Sequence, residues 1–137
     1  MTVTPKSVVD WQIETISAFV IKQKRDRYIE KITSTKKRGE FLKTLAHFAD
    51  FDPRYIVRIA PSSQHAPNIE CLLRAKGATE TCLAISEMTS IDAKFIPLAD
   101  ALKSTIGYQM GTILCCIPGR LAFFENEDGR YILERRT

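Results

Sequence analysis

Three short apolar runs separated by turn residues occupy the C-terminal end of the chain, and they restrict the fold more than any other feature. The runs are GTILCCI (residues 111–117), LAFFE (121–125) and RYILER (130–135). Pro118-Gly119 separates the first two runs, and Asp128-Gly129 separates the last two. Such runs bounded by such dipeptides are typical of β-strands joined by tight turns. We therefore predict three consecutive strands, the last two of which form a β-hairpin.

An earlier run, TCLAIS (residues 81–86), is apolar along most of its length. A short run of this kind is typical of a strand that is buried on both faces of a sheet. It predicts a fourth strand.

The first fifty residues have helical spacing instead. Two apolar stripes recur at short intervals, the first at Val9, Ile13, Ile16 and Val20 and the second at Phe41, Leu42, Leu45, Phe48 and Ala49. Residues three and four positions apart share one face of a helix. We predict an N-terminal helical hairpin whose first helix begins near residue 7 and bends or changes its packing after residue 21.

Three further helices are indicated by their end signals. Asp52 before Pro53 is a typical N-cap followed by a first helical residue, so DFDPRYIVRI favours a short helix over the strand that YIVRIA also suggests. SSQHAPNIECLLRAKGA (62–78) predicts a third main helix ending at Gly77, and IPLADALKSTIG (96–107) predicts a fourth ending at Gly107.

Together these elements predict one α+β domain over residues 1–137. Residues 1–50 form the helical hairpin, and residues 51–137 form a mixed part. In this mixed part, further helices pack on a small, mostly antiparallel four-stranded sheet that ends in the β-hairpin. A chain of 137 residues without internal repeats or low-complexity linkers is the usual size of one domain.

Composition narrows the function classes. The longest apolar runs fall far short of the ~20 residues that cross a bilayer, and charges interrupt the N-terminus where a signal peptide would be apolar. We therefore predict a cytoplasmic location and no membrane partner. The four cysteines and two histidines match no metal-ligand spacing. We predict reduced thiols, no metal and no cofactor, and the pattern indicates no particular small-molecule ligand.

Basic residues are concentrated near the N-terminus. Residues 1–60 carry 12 Lys and Arg against 7 Asp and Glu, a balance of +5, whereas residues 61–137 carry 8 against 9, a balance of −1. Such an uneven distribution is typical of a chain with an anionic partner, although an ordinary pair of exposed helices also produces it.

Two groups of cations stand out within residues 22–38. Three of them share one stripe of the first predicted helix, and three fall in the first turn of the second, where free N–H groups favour an anion. This predicts an anion-binding surface formed by Lys24, Arg27, Lys31, Lys36, Lys37 and Arg38. Nucleic acid is the partner that such a surface would take, and a solvated helix face is the competing interpretation, since no nucleic-acid-binding motif accompanies the charges.

An enzyme is a further alternative, because active-site residues often lie at strand ends. Polar residues lie at the predicted strand ends at Ser86, Glu87, Arg120, Glu125 and Arg130. Among them we single out Glu87 and Arg120 as a polar cluster. Cys115 or Cys116 would be the nucleophile, but neither His47 nor His65 is placed beside them by the sequence. We predict no catalytic residue.

A protein partner is the interpretation we prefer. Adjacent Phe123 and Phe124 on one strand must face opposite sides, so one side needs a cover, which a second subunit could supply. Trp11 likewise lies opposite the apolar stripe of the first helix. The predicted function is a non-enzymatic macromolecule-binding or regulatory module with a protein partner or as a homodimer. Nucleic-acid binding is the first alternative and a small enzyme with strand-end carboxylates or thiols is the second.

Overall fold

A six-stranded antiparallel sheet forms the centre of the computed structural model, which describes residues 4–135. The strands are β1 Ile56–Arg58, β2 Thr81–Ser86, β3 Phe95–Pro97, β4 Thr112–Ile117, β5 Leu121–Asn126 and β6 Gly129–Glu134. The helices are α1 Thr4–Phe19, α2 Arg25–Thr33, α3 Arg38–Thr44, α4 Ala66–Ala75 and α5 Leu98–Thr105. The fold class is α+β, as predicted.

The sheet has six strands, whereas four were predicted. The strand order in the structure is β1-β6-β5-β4-β2-β3, with every neighbouring pair antiparallel. The four predicted strands are the central ones, and the two missed strands, β1 and β3, are the edges. Each edge strand has only three residues, which is too short for an alternating pattern to be recognised. Part of YIVRIA is therefore a strand after all, and it follows the short 3₁₀ turn that Asp52 caps.

Both faces of the sheet are covered by helices of the same chain. Side chains alternate along a strand, so neighbouring residues face opposite sides. On β5, Phe123 packs with α4 and α5, while Phe124 packs in the cluster formed with α1, α2 and α3; both side chains are fully buried. The result is three layers, with the sheet between two sets of helices.

The first predicted helix ends earlier than its apolar stripe suggests. α1 stops at Phe19 because Val20 pairs with Phe51 in an antiparallel bridge. The Phe19 carbonyl accepts from the Asp52 amide at 2.7 Å, and the Ile21 amide donates to the Asp50 carbonyl at 2.9 Å. Since this ladder takes the backbone groups that a longer helix would need, the predicted hairpin is three helices rather than two.

The predicted ends of the later helices agree with the structure. Gly77 has φ +113° and Gly107 has φ +94°, values that favour glycine after a helix. Asp52 accepts from the Arg54 amide at 3.0 Å, as expected of an N-cap.

The strand edges offer little for pairing with another sheet. β3 ends at Pro97, which has no N–H to donate, and β1 ends at the exposed, charged Arg58. Short edges with proline and charge are typical protection against edge-to-edge association. Within residues 4–135, no helix has the length and apolar character needed to span a membrane.

The backbone at Gly111 lies against Leu45, and this contact gives a first prediction. A Cβ on Gly111 would lie 2.5 Å from the Leu45 Cβ and 2.7 Å from the Leu45 carbonyl carbon. Gly111→Ala should therefore lower the free energy of unfolding by about 1–3 kcal/mol, measured by urea denaturation. Gly39→Ala is the matched control, since nothing lies within 4 Å of its would-be Cβ. In α3 this control should stabilise by up to about 1 kcal/mol; equal effects of the two changes would contradict the packing argument.

Candidate functional site

Polar side chains form a row across three neighbouring strands at one end of the sheet. Ser86 pairs with Thr112, and Thr112 pairs with Glu125, in the antiparallel register. The hydroxyls of Ser86 and Thr112 are 2.7 Å apart and buried. Glu125 in turn pairs with Arg130 on β6. The sheet thus brings together several of the strand-end residues that the sequence marked.

Glu125 is a fully buried carboxylate with three partners. It accepts hydrogen bonds from the Gly107 amide at 3.0 Å and from the Gln109 amide at 2.8 Å. Its Oε1 lies 3.1 Å from Nε of Arg130. Because a buried charge is tolerated only when it is paired and hydrogen-bonded, these contacts make Glu125 a fixed anchor for residues 106–111, here called the Tyr108 loop.

A second carboxylate holds the other end of the Tyr108 loop. Glu87 Oε1 accepts from the Gly111 amide at 2.8 Å, and the Glu87 amide donates to the Gly111 carbonyl at 3.0 Å. Between these anchors, Tyr108 is 62% exposed and Met110 is 37% exposed. The loop backbone is held in place, while Tyr108 is largely exposed and Met110 is partly exposed.

Arg38, one of the six predicted anion-binding cations, is engaged inside the chain. Its Nε and Nη2 donate to the Asp92 carboxylate at 3.0 and 2.8 Å, and its Nη1 donates to Oε1 of Gln12 at 2.6 Å. Asp92 also accepts from the Ser86 amide at 2.9 Å. The guanidinium therefore joins α3 to the connection between β2 and β3, and is not open to an external anion.

Three more of the six cations lie close to carboxylates: Lys24 to Asp50 at 3.4 Å, Lys31 to Glu40 at 3.7 Å and Lys37 to Glu30 at 3.6 Å. Arg27 and Lys36 form no ion pair with any residue in 4–135. Lys24 precedes α2 rather than lying in a long first helix, and Lys36 and Lys37 precede α3. The anion-binding surface stays a prediction, but most of its charge is balanced within the chain.

The proposed polar cluster of Glu87 and Arg120 is not assembled. Glu87 follows β2 at the end where β4 begins. Arg120 lies in the turn after β4, and six strand residues separate the two ends, a distance of roughly 20 Å. The structure places these two side chains at opposite ends of the sheet.

The thiols proposed as nucleophiles are buried. Burial raises the pKa of Cys82 and of Cys115 to about 12, and raises the pKa of Cys116 well above its ordinary value. The hydroxyl of Thr15 donates to the sulfur of Cys115 at 3.2 Å. His47 is exposed and lies 3.3 Å from Asp128, away from these thiols. Since the thiolate is the reactive form, these cysteines are inert near neutral pH.

The two sequence features that suggested a second subunit are explained by contacts within the chain. Phe123 and Phe124 are covered by helices on the two faces of the sheet. Trp11 packs edge-on against Phe95, with ring centres 5.0 Å apart. A homodimer stays a prediction, but these two features no longer support it.

In the part of the chain that the structure describes, no three His, Cys, Asp or Glu side chains are grouped so as to hold a metal ion. Comparison with protein-family models, with curated proteins and with solved structures gave no match.

The Tyr108 loop was not recognised from the sequence. Its signals were the two glycines at 107 and 111 around an aromatic residue, and a carboxylate inside the apolar run LAFFE. A charged residue in a buried strand indicates that some backbone or cation must satisfy it. Which backbone amides donate to this carboxylate depends on the strand register.

The contact of Arg38 with Asp92 gives a second prediction, tested by a double-mutant cycle. Their side chains are only 19% and 14% exposed. Arg38→Ala and Asp92→Ala should each cost about 2–4 kcal/mol, because each leaves a charged group unpaired and poorly hydrated. The double variant should lose less than the sum, by about 1–3 kcal/mol in urea denaturation. The exposed pair Lys37 and Glu30 is the control, with a coupling below about 0.5 kcal/mol; additivity at Arg38 and Asp92 would refute the contact.

The buried thiols give a third prediction. At pH 8 a thiol reagent should label only the exposed Cys71 in the folded protein, and all four cysteines after denaturation. The pKa of Cys82 and Cys115 is raised by burial from 9.0 to about 12, so the neutral form is favoured by folding. Their contribution to stability is present below pH 9 and is lost as the pH rises toward 12. Stability should therefore fall across this window, and rapid labelling of folded Cys115 would contradict its burial.

Proposed function

We propose that this chain is a non-enzymatic protein-binding module and that the Tyr108 loop is its docking element. One observation carries the proposal: two large apolar side chains, Tyr108 and Met110, are exposed on a loop whose backbone is held by Glu125 and Glu87. Tyrosine and methionine are enriched in protein interfaces, and tyrosine is frequent among the residues that dominate binding energy.

The rigidity of the loop supports this role. Ordering a mobile loop on binding reduces affinity, so a loop that is already held binds more tightly with the same contacts. Here Glu125 holds the amides of Gly107 and Gln109, and the Thr112 hydroxyl donates to the Met110 carbonyl at 3.0 Å. Gln109 adopts φ +61°, a conformation that the surrounding bonds maintain.

The polar side chains at this end of the sheet are already hydrogen-bonded within the chain, which favours binding over catalysis. An active site needs a carboxylate, hydroxyl or thiol that is open to a substrate. At this end of the sheet Glu125 and Glu87 accept from the backbone amides of the loop, and the hydroxyls of Ser86 and Thr112 bond to each other. These groups maintain the loop and are not available for chemistry.

The partner we propose is another protein rather than a second copy. The short, protected edges β1 and β3 disfavour pairing between two sheets. We also propose a cytoplasmic location, which the free thiols support, because a reducing compartment keeps cysteines unpaired.

The proposal gives a fourth prediction. A photoreactive benzophenone amino acid replaces Tyr108, and in a separate variant it replaces Lys103, an exposed residue of α5. On irradiation in the cells of origin, the probe at 108 should form one discrete adduct, identified by mass spectrometry, and the probe at 103 should not. Met110→Ala should reduce the adduct because it removes a neighbouring contact.

The control separates the alternatives. An adduct of twice the chain mass would identify a second copy as the partner. Equal labelling from positions 103 and 108, or no adduct from 108, would contradict docking through this loop.

A further inference from the structure

Three arginines converge where the end of α1 meets residues 50–52. Nε of Arg25 donates to the Val20 carbonyl at 2.9 Å, and Nη1 of Arg135 donates to the Ala18 carbonyl at 3.1 Å. Arg54 is held on Asp52, which is joined to Phe19 through the backbone ladder, and the charge of Arg25 also acts on the Asp52 carboxylate. Residues far apart in the chain thus bring these three arginines to one region of the surface.

Tyr55 lies within this group. The guanidinium carbon of Arg54 is 5.1 Å from the centre of its ring, and that of Arg135 is 4.9 Å from the same centre. Each distance is in the range of a cation–π contact. Two guanidinium groups are therefore held against one aromatic ring, and the carboxylate of Asp52 pairs with Arg54.

Within residues 4–135, the positive charge of this surface is only partly balanced. Asp52 neutralises Arg54, whose Nη2 donates to it at 2.7 Å. No carboxylate within residues 4–135 forms an ion pair with Arg25 or Arg135. Glu134 lines the adjoining recess of about 390 Å³ with Arg54, Tyr55 and Val57, and it pairs with Lys76 at 2.8 Å. Among the described residues, Asp52 is thus the one carboxylate of this surface that pairs with any of the three arginines.

The orientation of the arginines is set by their inward bonds. Arg25 and Arg135 each use one nitrogen on a carbonyl at the end of α1, and these two contacts also offset the negative end of the helix. Their other N–H groups donate to no residue in 4–135. A guanidinium with N–H groups to spare matches the oxygens of a phosphate in geometry and in charge.

We propose that Arg25, Arg54 and Arg135 form a phosphate-binding site beside Tyr55. The site is separate from the Tyr108 loop and does not depend on the docking role proposed for it. Only Arg25 belongs to the basic stretch at residues 22–38, so the site also differs from the anion-binding surface predicted from the sequence. The competing account is that the arginines only cap α1 and its neighbouring turn.

The test is a titration of the ¹⁵N-labelled protein, followed by NMR at low salt with two separate probes. Inorganic pyrophosphate represents a free phosphate ligand, and a short single-stranded RNA represents a nucleic-acid backbone. Resonances of the Arg25, Arg54 and Arg135 side chains and of the Tyr55 amide should shift with at least one probe. A response to RNA alone assigns the site to nucleic acid, and a response to pyrophosphate identifies a small phosphate ligand.

Two variants remove charge from the site. Arg135→Gln and Arg54→Gln should each raise the Kd at least about tenfold, as expected when a charge-assisted contact to phosphate is lost. Arg54 is 72% exposed at its side chain, so Arg54→Gln keeps the test valid even if Arg135→Gln perturbs the fold. Binding to RNA should also weaken log-linearly with salt.

The matched controls are Arg27→Gln and Lys36→Gln, which remove two cations of the 22–38 stretch that form no ion pair within residues 4–135 and do not belong to the proposed site. They should leave the Kd unchanged. The proposal is overturned if neither probe shifts the arginine resonances. It is also overturned if the control variants weaken binding as much as Arg54→Gln does, since the charge would then act without a defined site.

Discussion

The rest of the structure depends on burying both faces of the central strands. On β4 and β5, neighbouring side chains such as Phe123 and Phe124 point to opposite sides, and both sides are apolar. A sheet of this kind is stable only when each face is removed from water. The chain meets this need with its own helices, three on one face and two on the other. No sheet face is left for a second subunit to cover.

Because the centre of the sheet is apolar, the polar contacts lie at the ends and the rim of the sheet. At one end, Glu125 and Glu87 hold the Tyr108 loop through its amides. At the rim, the end of α1 and residues 50–52 form a ladder around which the arginines gather. Both proposed binding surfaces therefore depend on contacts that also stabilise the fold. Carboxylates hold the Tyr108 loop, and carbonyls at the end of α1 orient the arginines.

Much of the fold followed from local patterns, and the errors have identifiable causes. TCLAIS became β2, and Gly77 and Gly107 ended their helices, because apolar spacing and glycine conformation act over a few residues. The edge strands were missed because three residues carry no pattern. A bend or a change of packing was predicted after residue 21, but the complete break after Phe19 was not, because it requires pairing with Phe51, more than thirty residues away. At the site, six cations at 22–38 were identified, but the carboxylates that pair with four of them were not.

By itself, the sequence determined the four central strands, the turns between the last three of them, and the ends of α4 and α5 near Gly77 and Gly107. Periodicity, proline and glycine act locally, so they can be interpreted without a structure. Only the tertiary structure decided which charges meet. Arg38 reaches Asp92 across 54 positions, and Arg135 reaches the carbonyl of Ala18 across 117. Such contacts depend on strand order and register, because these bring distant residues together. Whether a charged side chain is paired within the chain or can bind a ligand therefore depends on the tertiary structure.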